Sequence, residues 1–142
     1  MDEIQVVAFR LGQEEYAVDI LAVQEIIKIT QVTRVPKAPR FVQGVINLRG
    51  NVVPLINLRS RFELEQKENS SSSRFIILNI NDHRIGITVD SVTEVARISQ
   101  DNIEDSVSLE NIDKDFVKGI GKHNGRLLIM LKLEEIIRLA TE

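Results

Sequence analysis

A mostly β fold, built as two similar small barrels with short helices between their strands, is what this sequence predicts, on three observations. The chain repeats itself. Residues 6–29, VVAFRLGQEEYAVDILAVQEIIKI, align without a gap on residues 75–98, FIILNINDHRIGITVDSVTEVARI, at an offset of 69. A second block, FVQGVINLRGNVVPLINL from Phe41, aligns on FVKGIGKHNGRLLIMLKL from Phe116 at an offset of 75, so one six-residue insertion reconciles the two. The chain therefore reads as two related half-domains. Val and Ile total 34 against 13 Leu, and β-branched side chains in that excess favour pleated sheet. Finally, the apolar runs are short and separated by turn residues, and closing such strands into barrels removes exposed sheet edges. The expected lobes are residues 1–65 and 74–142, joined by a flexible serine-rich loop over 66–73.

Each half opens with a hairpin: strand-like residues 4–11 and 16–20 around Gly12-Gln13-Glu14-Glu15, and residues 75–80 and 85–89 around Asn81-Asp82-His83-Arg84. Gly12 aligns with Asn81, and both residue types tolerate the positive φ of tight hairpins. LAVQEII follows, with Val23, Ile26 and Ile27 at helical spacing, matched by SVTEVAR with Val92, Val95 and Ala96. Both segments are expected as two-turn helices that need packing to hold them. Prolines extend residues 33–39, and FVQGVIN is expected as a short helical or turn segment closed by Gly50. VVPLINL reads as a strand, placed at an edge or a bulge because Pro54 cannot donate to a ladder. Glu63 to Ser73 is a polar linker, and LEEIIRLA reads as a terminal helix. Gly44, Gly50, Gly119 and Gly125 align in pairs and are expected to be structural turn glycines.

At 142 residues the chain buries roughly 70% of its unfolded surface without a staple. The net charge of −3 conceals an asymmetry: Lys28, Arg34, Lys37, Arg40, Arg49, Arg59 and Arg61 stand in residues 26–62 with no acidic residue among them. Residues 99–115 run the other way, with Asp101, Glu104, Asp105, Glu110, Asp113 and Asp115 against Lys114 alone. Oppositely charged faces on one small domain suit charge-guided docking to proteins.

Zero Cys excludes disulfides, thiolate nucleophiles and thiolate metal sites. The two histidines, His83 and His123, cannot build a three-histidine or HExxH metal centre. No Gly-x-Ser-x-Gly elbow or phosphate loop appears, and Gly119-Ile-Gly121-Lys-His-Asn-Gly125 has the wrong spacing for a dinucleotide loop. No catalytic residue, cofactor site or metal site is expected. The acidic opening lacks the character of a secretion signal, and no apolar run approaches the ~20 residues of a membrane span, so a cytoplasmic location is expected.

The strings E-E-Y-A-V-D-I-L-A-V-Q-E-I from Glu14, G-V-I-N-L-R-G-N-V-V-P-L-I-N-L-R from Gly44 and F-V-K-G-I-G from Phe116 carry a resemblance to the CheW family of chemotaxis coupling proteins, from about Val6 to Ala140. Related domains occur in CheV-type adaptors and in the kinase CheA, but 142 residues leave no room for a receiver or kinase domain, so residues 1–142 are expected to be one CheW-like domain. The resemblance implies two five-stranded SH3-like barrels and a non-catalytic adaptor. It would link the cytoplasmic tip of methyl-accepting chemoreceptors to the regulatory domain of the histidine kinase CheA. The implied state is a monomer in isolation and rings with the kinase in receptor arrays, with no membrane insertion. The implied receptor site is the groove between barrels, where an apolar slot takes a helical hairpin tip. The matching positions are Val23, Glu25, Ile26, Arg49, Val92 and Val95. The four apolar residues would equally serve to hold short helices on their barrels, and Arg49 could fork onto a partner carboxylate or form an internal ion pair. The kinase contact is implied on the second barrel near its strand ends, without assigned residues. A rival reading is a nucleic-acid-binding β-barrel using the basic stretch. Against it, only Phe41 and Phe62 could stack there, and aromatics are 4% of the chain.

Overall fold

The structure, a computed structural model, describes residues 2–108 and 113–141; Glu110 of the acidic stretch lies outside them. The strands are β1 (Glu3–Leu11), β2 (Glu14–Asp19), β3 (Val23–Lys28), β4 (Val42–Leu48), β5 (Asn51–Ile56), β6 (Arg74–Ile80), β7 (His83–Val89), β8 (Ser91–Ser99), β9 (Ile103–Asp105), β10 (Val117–His123) and β11 (Arg126–Leu131). Two α-helices follow β5 and β11: α1 (Leu58–Arg61) and α2 (Leu133–Leu139). One sheet has the order β8-β1-β2-β11-β10-β9 and the other β3-β6-β7-β5-β4. The fold is mostly β, as the composition requires.

The sheets cross the repeat. Hairpin β1–β2 of the first half pairs with β8 and β11 of the second, and hairpin β6–β7 of the second pairs with β3 and β5 of the first. Each barrel thus takes its opening hairpin from the other half, and the lobes 1–65 and 74–142 are units of sequence, not of sheet. Sequence similarity identifies equivalent strands without saying which copy each one pairs with. Both sheets roll up on one continuous piece of chain. Beyond β3, Thr33 exchanges two 2.8 Å backbone hydrogen bonds with Val45 on β4. Beyond β8, β9 pairs with β10.

Three apolar layers result. Val6, Ala8, Ala17, Ala96, Ile98, Leu128 and Met130 fill one barrel, and Ile46, Leu48, Val53, Leu55, Phe75 and Ile77 fill the other. The largest layer lies between the sheets, where Val7, Phe9 and Val18 meet Ile76, Leu78 and Ile87. Helix α2 closes over it with Ile136 and Leu139, as expected of the terminal helix. An aromatic series runs outward from this layer: Phe9 stacks on Tyr16 at 5.8 Å, Tyr16 on Phe62 at 5.5 Å, and Phe62 meets Phe116 edge-on at 5.8 Å.

The segments read as helices, LAVQEII and SVTEVAR, are strands β3 and β8. A bulge in each accounts for the misreading. Val23 faces Leu78 and Glu25 faces Ile77, which leaves Gln24 extra; likewise Val92 faces Phe9 and Glu94 faces Ala8, which leaves Thr93 extra. An extra residue puts positions three apart on the same face of a strand, and this imitates the helical period. FVQGVIN is also strand, β4, with Gln43 extra in the same way. Pro54 sits neither at an edge nor at a bulge, because β5 runs between β7 and β4. Its partner Val45 spends both backbone groups on Thr33, and the parallel ladder to β7 is registered only at Leu55 and Ile56. No ladder position therefore asks Pro54 for an amide. The serine-rich segment forms a hydrogen-bonded turn: Ser70 N donates to Ser73 Oγ at 2.9 Å and Ser73 N to Ser70 O at 3.1 Å.

Of the four glycines expected in turns, only Gly50 and Gly125 stand in them; Gly44 and Gly119 lie within β4 and β10. Gly50 and Gly125 have φ of 85° and 78° in two-residue turns, the conformation that glycine adopts without a side-chain clash. At Gly44 and Gly119 the constraint is space: a Cβ would stand 2.5 Å from the carbonyl oxygen of Thr33 or of Glu104. These are the strands that close each barrel.

Candidate partner-binding site

The bulges place the implied site residues. Val23 and Ile26 lie on the face of β3 that looks toward the central layer, opposite Leu78 and Ile76, and Val92 and Val95 lie on the same face of β8, opposite Phe9 and Val7. Val23 and Val92 pack on that layer. Ile26 and Val95 stand at its rim, 39% and 53% exposed. The fold keeps two of the four apolar residues for itself and offers the other two outward, at equivalent places in the two repeats.

Glu25 lies between Val23 and Ile26 in sequence but on the other face of β3, opposite Ile77 of the barrel layer, and Arg49 reaches it from the β4–β5 turn with a two-pronged hydrogen bond, Nη1 to Oε1 at 3.1 Å and Nη2 to Oε2. The arginine's backbone has φ 51°, a left-handed conformation that an L side chain adopts at a cost of roughly 1–2 kcal/mol. The aligned residue in the second repeat is Asn124, with φ 50°, and Asn is at home there. The first turn thus carries an arginine where backbone preference favours asparagine, and the guanidinium is what that choice supplies.

The second repeat builds the same pair from the other side of its turn. Arg49-Gly50-Asn51 corresponds to Asn124-Gly125-Arg126, and Arg126 holds Glu94, the counterpart of Glu25. His123 Nε2 lies 3.4 Å from Glu94, and the buried Glu15 accepts from Thr93 Oγ1 at 2.8 Å and lies 3.4 Å from Arg126. Sequence reasoning passed over Glu15, Glu94, His123 and Arg126. The signal was present in the Glu25–Glu94 alignment and in the mirrored turn, but the two arginines do not align with each other. His123 is mostly covered at the end of β10.

Arg49's hydrogen bond and charge, with a contribution from Arg84, hold the Glu25 carboxyl below the ordinary 4.5. Arg126's hydrogen bond and charge, with a smaller part from His123, do the same for Glu94. Carboxyls more acidic in the folded state than in the unfolded chain stabilise fully above about pH 4.5, and that stabilisation drains as pH falls through the folded values. Urea midpoints for Glu25→Gln and Glu94→Gln should therefore lie below the parent's at pH 7 and converge on it toward pH 3. A gap that does not change with pH would show that these carboxyls are not the source.

The basic stretch is partly neutralised: Arg49, Arg59 and Arg61 pair with Glu25, Asp90 and Asp113. Phe41 is buried, and Phe62 is enclosed between Tyr16 and Phe116. Neither offers the open ring face that base stacking needs. Among the described residues no cluster of three or more His, Asp or Glu could hold a metal ion, and no helix is long and apolar enough to cross a membrane.

A family model, the CheW-like domain, matches residues 5–141. The chain belongs to the CheW-like domain family. The chemotaxis protein CheW of Helicobacter pylori is 41% identical over 135 residues, covering 95% of this chain and 82% of that protein. CheW of Thermotoga maritima is 33% identical, covering 99% and 92%. The crystal structure of the scaffolding protein TtCheW from Thermoanaerobacter tengcongensis superimposes with a TM-score of 0.84 at 37% identity, covering 92% of this chain and 90% of that one. Membership in the CheW-like family makes this a chemotaxis protein and not an enzyme.

Proposed function

We propose that the chain is an adaptor coupling the cytoplasmic tip of a chemoreceptor to the regulatory domain of the chemotaxis histidine kinase CheA, working in the cytoplasm as a monomer that joins kinase rings beneath receptor arrays. The observation that carries this reading is that one rigid scaffold offers two separate apolar surfaces. The first is the strip along β3 and β8 that ends in Ile26 and Val95, with the Glu25–Arg49 pair on the reverse face of β3; it suits the apolar face of a helix. The second is the outer face of β10 and β11, where Ile120, Ile129 and the 61% exposed Leu127 line a cavity of about 610 Å³ whose rim mixes cations, Arg10, Lys122 and Arg126, with the carboxylates Glu14, Glu15 and Glu104. An apolar floor with a charged rim is the anatomy of a modest protein–protein contact. We assign the kinase to this second face.

Calorimetric titration against the isolated regulatory domain of CheA tests the reading. One-to-one saturable binding is expected. Leu127→Asp should weaken it by about tenfold or more, since it trades a buried apolar contact for a desolvated charge, while Ile26→Asp leaves it unchanged. No heat at several temperatures from the folded protein would refute the kinase partnership, and equal affinity for Leu127→Asp would move the contact elsewhere.

A further inference from the structure

Half of the strip and the whole of the second face belong to one sheet. Strand β8, which carries Val92 and Val95, stands at the end of the order β8-β1-β2-β11-β10-β9 and pairs with β1 alone, while β10 and β11 carry the cavity at Leu127. Along the sheet, β1 and β2 separate β8 from β11, yet side chains join the two directly across the mouth of the barrel. On the bulge of β8, Thr93 and Glu94 reach away from the strip: Glu94 stands opposite Ala8 of the barrel layer, and Thr93 Oγ1 donates to Glu15 Oε2 on β2 at 2.8 Å. Glu94 accepts from Arg126 on β11, and Arg126 lies 3.4 Å from Glu15, which closes the set. Glu15 and Arg126 line the cavity given to the kinase, and Thr93 and Glu94 stand behind the apolar pair of β8. In the first repeat Arg84 takes the position of Glu15, so no carboxylate meets the exposed bulge residue Gln24.

We infer that Glu15, Thr93, Glu94 and Arg126 couple the two faces, so that a receptor tip and a kinase regulatory domain each bind more tightly when the other is in place. The inference rests on both partner assignments proposed above. Its sign follows from burial. Glu15 is buried, whereas Arg126 and Glu94 are partly open to water, and an ion pair open to water contributes little. A domain seated on the cavity takes water away from Arg126 and Glu15, and the pairs strengthen as the surroundings become less polar. Arg126 Nε is buried without a partner, so the guanidinium has hydrogen-bonding capacity left for a tighter arrangement. Strengthening these contacts holds the bulge from behind. A bulged strand paired on one side has few other hydrogen bonds to fix it. With β8 already held in the register that sets Val92 and Val95 on one face, a receptor helix has less left to order, and two ligands that share one ordering cost bind cooperatively.

The test is the affinity of this chain for a soluble chemoreceptor tip fragment, titrated first alone and then with the chain saturated by the kinase regulatory domain. The parent should bind the fragment at least about fivefold more tightly in the second titration, and the reverse experiment should return the same factor, since coupling of affinities is reciprocal. Thr93→Val keeps the shape of the bulge residue and removes only its hydroxyl, and it should bring the factor close to one. Glu94→Gln, which releases Arg126, should do the same and serves if Thr93→Val does not fold. A factor of one in the parent, with both partners bound, would overturn the coupling and leave both contacts standing. An undiminished factor in both variants would overturn its assignment to this cluster. Failure of either partner to bind the folded parent would instead remove the reading on which the inference rests.

Discussion

Gly44→Val should cost the fold about 3–5 kcal/mol, where Gly50→Val costs roughly 1–2. A Cβ on Gly44 would stand 2.5 Å from the Thr33 oxygen and 2.7 Å from Val32 Cγ1. The first of these is backbone, so no side-chain rotation relieves the clash. The chain at Thr33 has to move off β4 and give up the two 2.8 Å hydrogen bonds to Val45 that close the barrel. Overpacking costs about 1–3 kcal/mol and each lost hydrogen bond about 1, and the sum is a large part of a typical stability of 5–15 kcal/mol. At Gly50 nothing lies within 4 Å and φ is 85°, so a substitution there meets only backbone strain. Thermal melting separates the cases. Gly44→Val should lower Tm by about 10 °C or more, and Gly44→Ala, which carries the offending Cβ alone, should show most of that loss. Gly119→Val should behave like Gly44→Val, because a Cβ there meets the Glu104 oxygen at 2.5 Å. Equal melting of Gly44→Val and Gly50→Val would refute the distinction.

These glycines also show how far the sequence could be read. Their alignment marked them as structural, but not why, since close approach depends on which strand comes back to cover β4 and β10. The repeat predicted two equivalent barrels, and the β-branched excess predicted their strands. Both hold because they depend on local pattern. What failed was pairing and period. The exchange of β1–β2 and β6–β7 between halves is invisible to alignment, because an equivalent hairpin satisfies either barrel. The bulges at Gln24 and Thr93 produced an apolar spacing of three in β3 and β8, which only the register with β6 and β1 distinguishes from a helix. The same bulges shape the proposed strip: without the extra residue, Val23 and Ile26 would fall on opposite faces of β3. Arg49 was legible because it stands in a distinctive string. Arg126 was not, because it reaches Glu94 from the other side of the turn glycine.

Ile26→Asp combined with Val95→Asp should abolish receptor binding with little effect on stability. Both side chains stand at the rim of the central layer and are 39% and 53% exposed, so the folded chain keeps its packing through Val23 and Val92. In the complex the balance differs. Covering an Ile or Val contributes up to about 1.5–3 kcal/mol, and a carboxylate in its place has to be desolvated without a partner. Each substitution should therefore weaken binding by about ten- to a hundredfold, and the two, lying on different strands with no shared partner, should nearly add. Arg49→Glu probes the reverse face of β3: it removes the guanidinium that holds Glu25 and puts a second carboxylate beside it. The β4–β5 turn survives on Gly50 and on the hydrogen bond from Gly50 N to Asn47 Oδ1 at 2.8 Å, so the variant should fold and bind the receptor fragment at least tenfold more weakly. Affinity for a soluble receptor tip fragment, measured beside the melting temperature and the titration with the kinase regulatory domain, decides the matter. Loss of receptor binding with Tm and kinase affinity intact would place the receptor on β3 and β8. Loss of all three would mean that these residues support the fold, and loss of none would leave the strip without a partner.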